Sequence, residues 1–353
     1  MRETKASQNA GELIASVLAG AWRSVPPPLE LTAEQLSTIC SLLLGSRAGA
    51  LAWWKAQQST LSAQADVEKL RGAYHVYSVE HTVHQQTLRK IFELLNAENI
   101  RPILYKGWAV AQYYPQPALR PYLDFDLIVP PQQEKQVTDI LKRAGIRNFD
   151  LEHYELNRFD SRTYDELLER SRIIKFDETD IRVPGTEDHL RLLCIHLLKH
   201  GGSGPLWLCD VGAVIEKRPA DFDWDRFLGK NRRQADWVAY TLGMANRILG
   251  AKIDDTPVYS IAQKLPGWME RSVISDWSTP RRILHIHDRL MAESMGKASE
   301  FISALRSRWP NPIEATVIYN GSFNRASTFG CQFRFYARQA VKFASKGYNP
   351  ASE

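Results

Sequence analysis

The chain has few cysteines and no long apolar or basic runs, and each of these features argues against a class of protein. The four cysteines are scattered without zinc-ligand spacing among 353 residues, so we expect reduced, buried thiols in a cytoplasmic protein. The N-terminal segment Met1–Gly20 has no uninterrupted apolar run long enough for a signal peptide or a membrane span. The net charge is only +5 without any dense basic cluster, so neither membrane nor nucleic-acid binding is supported.

Hydrophobic periodicity divides the chain into three regions. Residues 1–85 predict helices, including one with an N-cap at Thr32, and residues 186–353 predict a second helical region. Residues 86–185 predict a small α/β core, which a long helix over about residues 63–97 enters from the N-terminal side. We therefore expect an α+β protein with a small mixed sheet flanked by N- and C-terminal helical regions.

The most informative segment, residues 104–129, reads LYKGWAVAQYYPQPALRPYLDFDLIV. It predicts a strand that ends near Tyr105, a glycine turn, a short helix over residues 108–114 and a second strand over residues 123–129. The second strand is strongly apolar apart from its two aspartates. A strand of that composition is buried, so its charged side chains need a partner.

Those aspartates, Asp124 and Asp126, are candidate metal ligands. Because successive strand side chains point to opposite faces, both carboxylates leave the same face, roughly 6–7 Å apart along the strand. Like charges on one face repel unless a cation neutralises them, and Mg²⁺ with a phosphate partner suits this arrangement. The turn at Lys106 and Gly107 supplies the other half of a nucleotide site, since glycine has no Cβ and the following helix points N–H groups at an anion. A solvated strand beside an ordinary turn is the alternative.

This order of strand, glycine turn, short helix and Asp-x-Asp strand resembles the core of the polymerase-β-type nucleotidyltransferase superfamily. More narrowly, the segment is similar to a bacterial family of largely uncharacterised nucleotidyltransferases, and the likeness covers roughly residues 85–215, including TYDELLERSRI and EDHLRLLCIHLLKHGG. The resemblance implies a polymerase-β-type core. It also implies transfer of a nucleoside monophosphate from an NTP to an unknown acceptor, with two Mg²⁺ ions as cofactors.

The resemblance further implies a third carboxylate on a neighbouring strand, which we predict over residues 146–156. Asp150 matches the expected acidic position better, and Glu152, two residues later, is the second choice. We therefore predict that Asp124, Asp126 and Asp150 are catalytic and hold the metal.

Three residues are predicted to bind the nucleotide: Lys106, Gly107 and Arg120. A cation near the triphosphate would stabilise charge on the leaving pyrophosphate, although Arg120 is equally suited to an ion pair with the aspartate strand. Active members of the superfamily usually have a serine or second glycine at the turn, whereas here Trp108 follows Gly107. That indole either stacks on a base or packs the helix onto the sheet. A catalytically inactive accessory or binding protein on the same fold therefore stays an alternative.

A second pattern lies downstream, where His196 and His200 are one helical turn apart and Asp210 follows a glycine-containing loop. Two histidines and an aspartate are possible transition-metal ligands, but Leu197 stands where zinc proteases of the HExxH type have glutamate. We expect histidines that form hydrogen bonds within a helical domain, and a substrate-facing role stays open.

Overall fold

The structure, a computed structural model, describes residues 2–152, 162–279 and 309–345. Within these ranges many helices surround a small mixed sheet, which confirms the α+β class predicted from the sequence. The last part of the strand predicted over residues 146–156 lies outside the described residues. No helix in the described ranges is both long and apolar enough to cross a membrane.

Four helices precede the sheet. Thr32 caps the second of them as predicted, because its hydroxyl accepts a hydrogen bond from the Gln35 N–H (3.2 Å) while the Gln35 side chain accepts one from the Thr32 N–H (2.9 Å). The fourth is the predicted long helix. The bounds of these helices are Arg2–Leu18 (α1), Ala33–Gly45 (α2), Gly49–Ala56 (α3) and Ala65–Ala97 (α4).

A three-stranded mixed sheet follows, with β1 antiparallel to β2 and β2 parallel to β3. The third strand therefore lies directly beside the Asp-x-Asp strand, as predicted. The helix after the glycine turn is shorter than predicted and ends at Ala111 instead of Tyr114. The bounds in this region are Ile103–Leu104 (β1), Trp108–Ala111 (α5), Phe125–Ile128 (β2), Glu134–Arg143 (α6) and Phe149–Glu152 (β3).

Two further strands form a hairpin that our sequence analysis missed. Strand β4 (Arg172–Phe176) pairs antiparallel with β5 (Thr179–Val183), and Asp177 in the intervening turn has a φ of 50°. The signal was present, because RIIKF and TDIRV are short runs rich in isoleucine, valine and threonine. Helix α7 (Tyr164–Glu169) precedes the hairpin.

The rest of the described chain is helical, as predicted. All of these helices except the last one, at residues 325–345, share one hydrophobic cluster with α1, α2 and α3, so the N- and C-terminal regions have a common core. The boundary predicted at residue 85 falls within α4. The bounds are Thr186–Lys199 (α8), Pro205–Glu216 (α9), Trp224–Leu228 (α10), Arg232–Leu249 (α11), Tyr259–Ala262 (α12), Gly267–Trp277 (α13), Pro312–Ile318 (α14) and Arg325–Ser345 (α15).

The two faces of the three-stranded sheet differ in what covers them. One face packs against α4 and α6 through a cluster that contains Phe125 and Leu127. The other face packs against α7 and α8 through a smaller cluster that contains Ile103, Tyr105 and Ile128. Because side chains alternate along a strand, this second face is the one on which Asp126 lies.

Candidate active site

Asp126, in the middle part of β2, is the central acid of the site. Its neighbours Phe125 and Leu127 are buried on the α4 side of the sheet, which directs Asp126 to the opposite face. The residue is only 5% exposed. A carboxylate removed from water in this way needs a positive partner or hydrogen-bond donors.

Lys106, directly after β1 and Tyr105, is that partner. Its Nζ lies 2.6 Å from Asp126 Oδ1 and 3.7 Å from Glu152 Oε1. The Nδ1 atom of His196 is 3.5 Å from the same Nζ. Because an ammonium group only donates, this contact favours the tautomer in which His196 Nδ1 accepts and Nε2 carries the ring proton. Lys106 therefore joins β2, β3 and α8 at one point.

The electrostatic environment of Asp126 combines burial with neighbouring charges of both signs. Burial raises the pKa of Asp126 to about 6; Lys106 opposes this effect, and the charges of Asp124 and Glu152 reinforce it. Asp124 itself is exposed and lies just before β2. Its negative charge contributes to the raised pKa of Asp126 and also acts on His84 of α4, so the face to which its side chain points stays a prediction.

The structure brings Glu152, our second choice for the third acid, into the cluster. The Tyr105 hydroxyl donates a 2.7 Å hydrogen bond to Glu152 Oε1. Burial alone would raise the pKa of Glu152, but this hydrogen bond and the charge of Lys106 outweigh it and lower the pKa. Tyr105 was not singled out in the sequence, although its position beside Lys106 on the same strand end was a usable signal.

Asp150, our first choice for the third acid, is placed differently. It is the register partner of Asp126 in the parallel pair of β2 and β3, so its side chain leaves the same face. It is exposed, at the solvent side of the cluster. Glu152, two residues farther along β3, is thus the acid that contacts Lys106, and the roles of both acids stay predictions.

Gly107 has a structural reason to be glycine that differs from the one we expected. Its φ is 56°, and a Cβ built on it would lie 3.0 Å from the Tyr122 ring. The Tyr122 side chain therefore covers the space that we had assigned to an incoming phosphate. Helix α5 behind this turn has only four residues, too few for a strong anion site at its N-terminus.

Arg120 forms a buried ion pair with Asp210 of α9. Its Nη2 lies 2.7 Å from Asp210 Oδ2, its Nε lies 2.8 Å from Oδ1, and the Tyr114 hydroxyl donates a 2.7 Å hydrogen bond to the same Oδ1. Burial opposes the charge of Arg120, yet Asp210 holds its pKa above the ordinary value. We had considered an ion pair with the aspartate strand; the partner is instead Asp210, which follows the glycine-containing loop.

His196 and His200 lie close to each other and to an indole that we had not singled out. The ring centroids of His196 and His200 are 4.7 Å apart, and that of Trp207 is 4.7 Å from His196 and 5.1 Å from His200. Burial and the charge of Lys106 lower the pKa of His196 well below its usual value. The neutral imidazole of His196 is thus an acceptor for Lys106.

Trp108, the indole next to the glycine turn, has a different environment. It is 2% exposed and packs on Phe176.

The donor set can be tested for its fit to a divalent cation. In the described ranges, no group of three or more His, Cys, Asp or Glu residues is arranged to hold a metal ion by itself. Mg²⁺ is usually bound by one or two carboxylates together with substrate phosphates, so Asp126 and Asp124 suffice chemically. The Lys106 ammonium lies beside Asp126 and would have to move to make room for the ion.

The described chain is thus an α+β protein in which one lysine contacts two acids on one face of a small mixed sheet. The profile of a family described as uncharacterised nucleotidyltransferase matches the chain twice, over residues 46–164 and 148–250. These matches cover more than half of the chain and include the whole candidate site. The chain therefore belongs to this nucleotidyltransferase family. Neither the curated proteins nor the solved structures contain a match.

Proposed function

We propose that this chain transfers a nucleoside monophosphate from an NTP to an acceptor in a reaction that requires Mg²⁺. Membership of the family supports nucleotidyl transfer. The finer proposal rests on the surroundings of Asp126, a buried acid that meets one ammonium and lies near two further carboxylates. Such an acid–cation cluster on one face of a sheet, open to solvent at Asp124 and Asp150, suits a triphosphate with its metal.

Asp124 and Asp126 are the residues that would hold Mg²⁺. Glu152 or Asp150 would be the third acid and would help to hold a second Mg²⁺ ion. When bound, Mg²⁺ neutralises charge on the triphosphate and on the leaving pyrophosphate. Lys106, once displaced from Asp126, remains within reach of Glu152 and His196 and can donate to a phosphate oxygen.

The reaction itself is a displacement at the α-phosphorus. The acceptor oxygen forms the new bond, the bond to pyrophosphate breaks, and a carboxylate of this chain takes the hydroxyl proton. Glu152 is the better placed candidate, because the Tyr105 hydroxyl and Lys106 fix its side chain. Asp150 is the alternative, because it lies in register with Asp126 on the adjacent strand.

Nucleotide binding is the first test. The purified protein should bind at least one of ATP, GTP, CTP and UTP in a Mg²⁺-dependent manner, measured by titration calorimetry, and Asp126→Asn should weaken that binding at least tenfold. Asp139→Asn is the matched control, since Asp139 is an exposed acid on α6 at the opposite face of the sheet. Equal affinities of wild type and Asp126→Asn would contradict the proposed site.

Transfer is the second test, and it also identifies the third acid. With α-labelled NTP and a panel of hydroxyl-bearing acceptors, Glu152→Gln should abolish labelling while nucleotide binding persists. If Asp150→Asn has this effect instead, Asp150 is the third acid. Labelling that survives in both variants would show that neither acid accepts the proton.

A non-catalytic accessory protein is the second candidate, and two contacts favour it. Lys106 forms an ion pair with Asp126 at the position proposed for the metal, and Tyr122 lies against Gly107. If the protein is a non-catalytic accessory protein, it should bind nucleotide in a manner that depends on Asp126. It should then form no labelled product with any acceptor.

A further inference from the structure

Three aromatic side chains form a continuous surface beside the acid cluster, which we call the α8–α9 aromatic surface. It consists of His196 and His200 at the C-terminal end of α8 and Trp207 in the first turn of α9. All three ring centroids lie within 5.1 Å of one another. His196 and Trp207 are half-buried and His200 is exposed, so the surface is accessible from one side.

The loop between the two helices holds the indole in this position. A Cβ added to Gly204 would lie 2.4 Å from two ring atoms of Trp207, so only glycine lets the indole lie against the backbone there. One side of the indole packs on the shared helical core, to which Trp207 contributes as a partly buried residue. The position of Trp207 therefore depends on both Gly204 and the core.

The charges around this surface restrict what can bind to it. Lys106 Nζ is 3.5 Å from the His196 ring, and the positive charge of Lys199 also acts on His196 and on Glu152. Two ammonium groups next to an aromatic surface disfavour a cationic ligand and favour one that joins a flat ring to negative charge. A nucleotide has these two parts.

We propose that the α8–α9 aromatic surface, and Trp207 above all, contacts the nucleobase of the NTP. The inference rests on the proposed function, because Lys106 connects His196 directly to Asp126, where the phosphates and metal would bind. Trp108, the indole that the sequence had suggested for this role, is buried against Phe176 and does not reach a ligand.

The decisive test compares ATP with tripolyphosphate, which has the phosphates but no nucleobase. We expect Trp207→Ala to weaken Mg²⁺-ATP binding about tenfold, the size found when stacking on an aromatic residue is lost, while the affinity for Mg²⁺-tripolyphosphate stays unchanged. Trp207→Phe should retain most of the ATP affinity because it keeps an aromatic face. Trp224→Ala is the control, since Trp224 is another half-buried indole on the same core and follows Asp223, whose N–H bonds to Glu187 in the first turn of α8.

Should Trp207→Ala not fold, Trp207→Leu keeps the apolar bulk, removes the aromatic face and is expected to show the same selective loss. Unchanged ATP affinity in a folded Trp207 variant, or an equal loss for ATP and tripolyphosphate, would overturn this inference and leave the proposed function standing. If the wild-type protein binds none of ATP, GTP, CTP and UTP, the proposed function fails and this inference fails with it. If it binds an NTP other than ATP, that NTP replaces ATP in these comparisons.

Discussion

Two basic–acidic pairs lie close together in this chain, and they differ in how completely the protein satisfies them. In the Arg120–Asp210 pair, both side chains are buried, at 8% and 0% exposure, and Tyr114 completes the hydrogen bonding of the carboxylate. In the Lys106–Asp126 pair, one ammonium faces the carboxylates of Asp126 and Glu152, and Asp124 and Asp150 are exposed. We call Arg120–Asp210 the closed pair, because both side chains are buried and hydrogen-bonded to each other. We call Lys106–Asp126 the open pair, because Lys106 has more than one carboxylate within reach.

This difference separates a structural pair from a candidate functional one. Arg120 and Asp210 connect the segment before β2 to α9, so they hold the sheet against the C-terminal helices. A planar guanidinium suits that task because it makes several fixed hydrogen bonds to one carboxylate. Lys106 has a compact ammonium on a flexible stem, which can change partners when a metal or phosphate arrives.

The largest expected effect is the loss of the closed pair. Asp210→Asn leaves the Arg120 charge buried without its counterion, and we expect the free energy of unfolding to fall by about 3–5 kcal/mol in urea denaturation. Glu68→Gln is the control, since Glu68 pairs with Arg71 on the surface with both side chains about half exposed. That change should stay within about 0.5 kcal/mol, and a similar effect of both substitutions would remove the distinction.

The next largest effect is the pH dependence of the free energy of unfolding that Asp126, in the Lys106–Asp126 pair, should cause. Because the folded-state pKa of Asp126 is raised from 3.8 to about 6, its protonated form stabilises the fold below about pH 4 and this contribution is lost as pH rises through 6. Asp126→Asn cannot ionise, so its stability relative to wild type should increase between pH 4 and 7, by at most about 3 kcal/mol. Urea denaturation across that range measures the change.

The charge lost in Asp126→Asn needs its own control. Asp139→Asn removes one exposed acid from α6 and corrects for the altered net charge of the variant. A relative stability of Asp126→Asn that falls with rising pH would contradict the raised pKa and the sign of this prediction.

A substitution in the turn at Lys106 and Gly107 should lower the free energy of unfolding by nearly as much as the pH effect at Asp126. Gly107→Ala puts a Cβ at a φ of 56° and 3.0 Å from the Tyr122 ring, so we expect a loss of about 1–3 kcal/mol in the free energy of unfolding. Gly145→Ala is the matched control, because Gly145 also has a positive φ, of 79°, but has open space around its Cβ position. Equal losses in both variants would show that Tyr122 yields without cost.

The smallest expected effect is the coupling between Lys106 and His196. Their 3.5 Å contact is long for a hydrogen bond, so a double-mutant cycle with Lys106→Met and His196→Phe should give a coupling energy below about 1 kcal/mol. The phenylalanine keeps a ring next to Trp207. A coupling energy of about 2–3 kcal/mol would mean that His196 fixes Lys106 in place.

Much of the fold was predictable because local signals agree with the final structure. Thr32 and Gln35 form a capping box that needs only four consecutive residues, and the apolar alternation around Asp126 places that acid on one face of its strand. The short helix between β2 and β3 permits their adjacent pairing, which the predicted third acid required. The β4–β5 hairpin was missed even though its strand composition was visible.

Partner choice at the site was not predictable, because it depends on residues far apart in the sequence. Arg120 is a cation next to the Asp-x-Asp strand, yet its partner is Asp210, 90 residues away on another helix. Glu152, not Asp150, contacts Lys106, because a step of two residues along β3 moves the carboxylate toward α8 and into the hydrogen bond from Tyr105. A strand pattern reports the face on which a side chain lies, but not its depth along that face.

Residue order alone therefore established the α+β class, the helix cap at Thr32, the face of Asp126 and the likeness to nucleotidyltransferases. Tertiary packing determined which cation meets which acid, why residue 107 is glycine and where Trp207 lies. The physical reason is the range of the forces involved. Capping and side-chain alternation act within a few residues, whereas burial, ion pairing and ring contacts exist only after distant segments exclude water together.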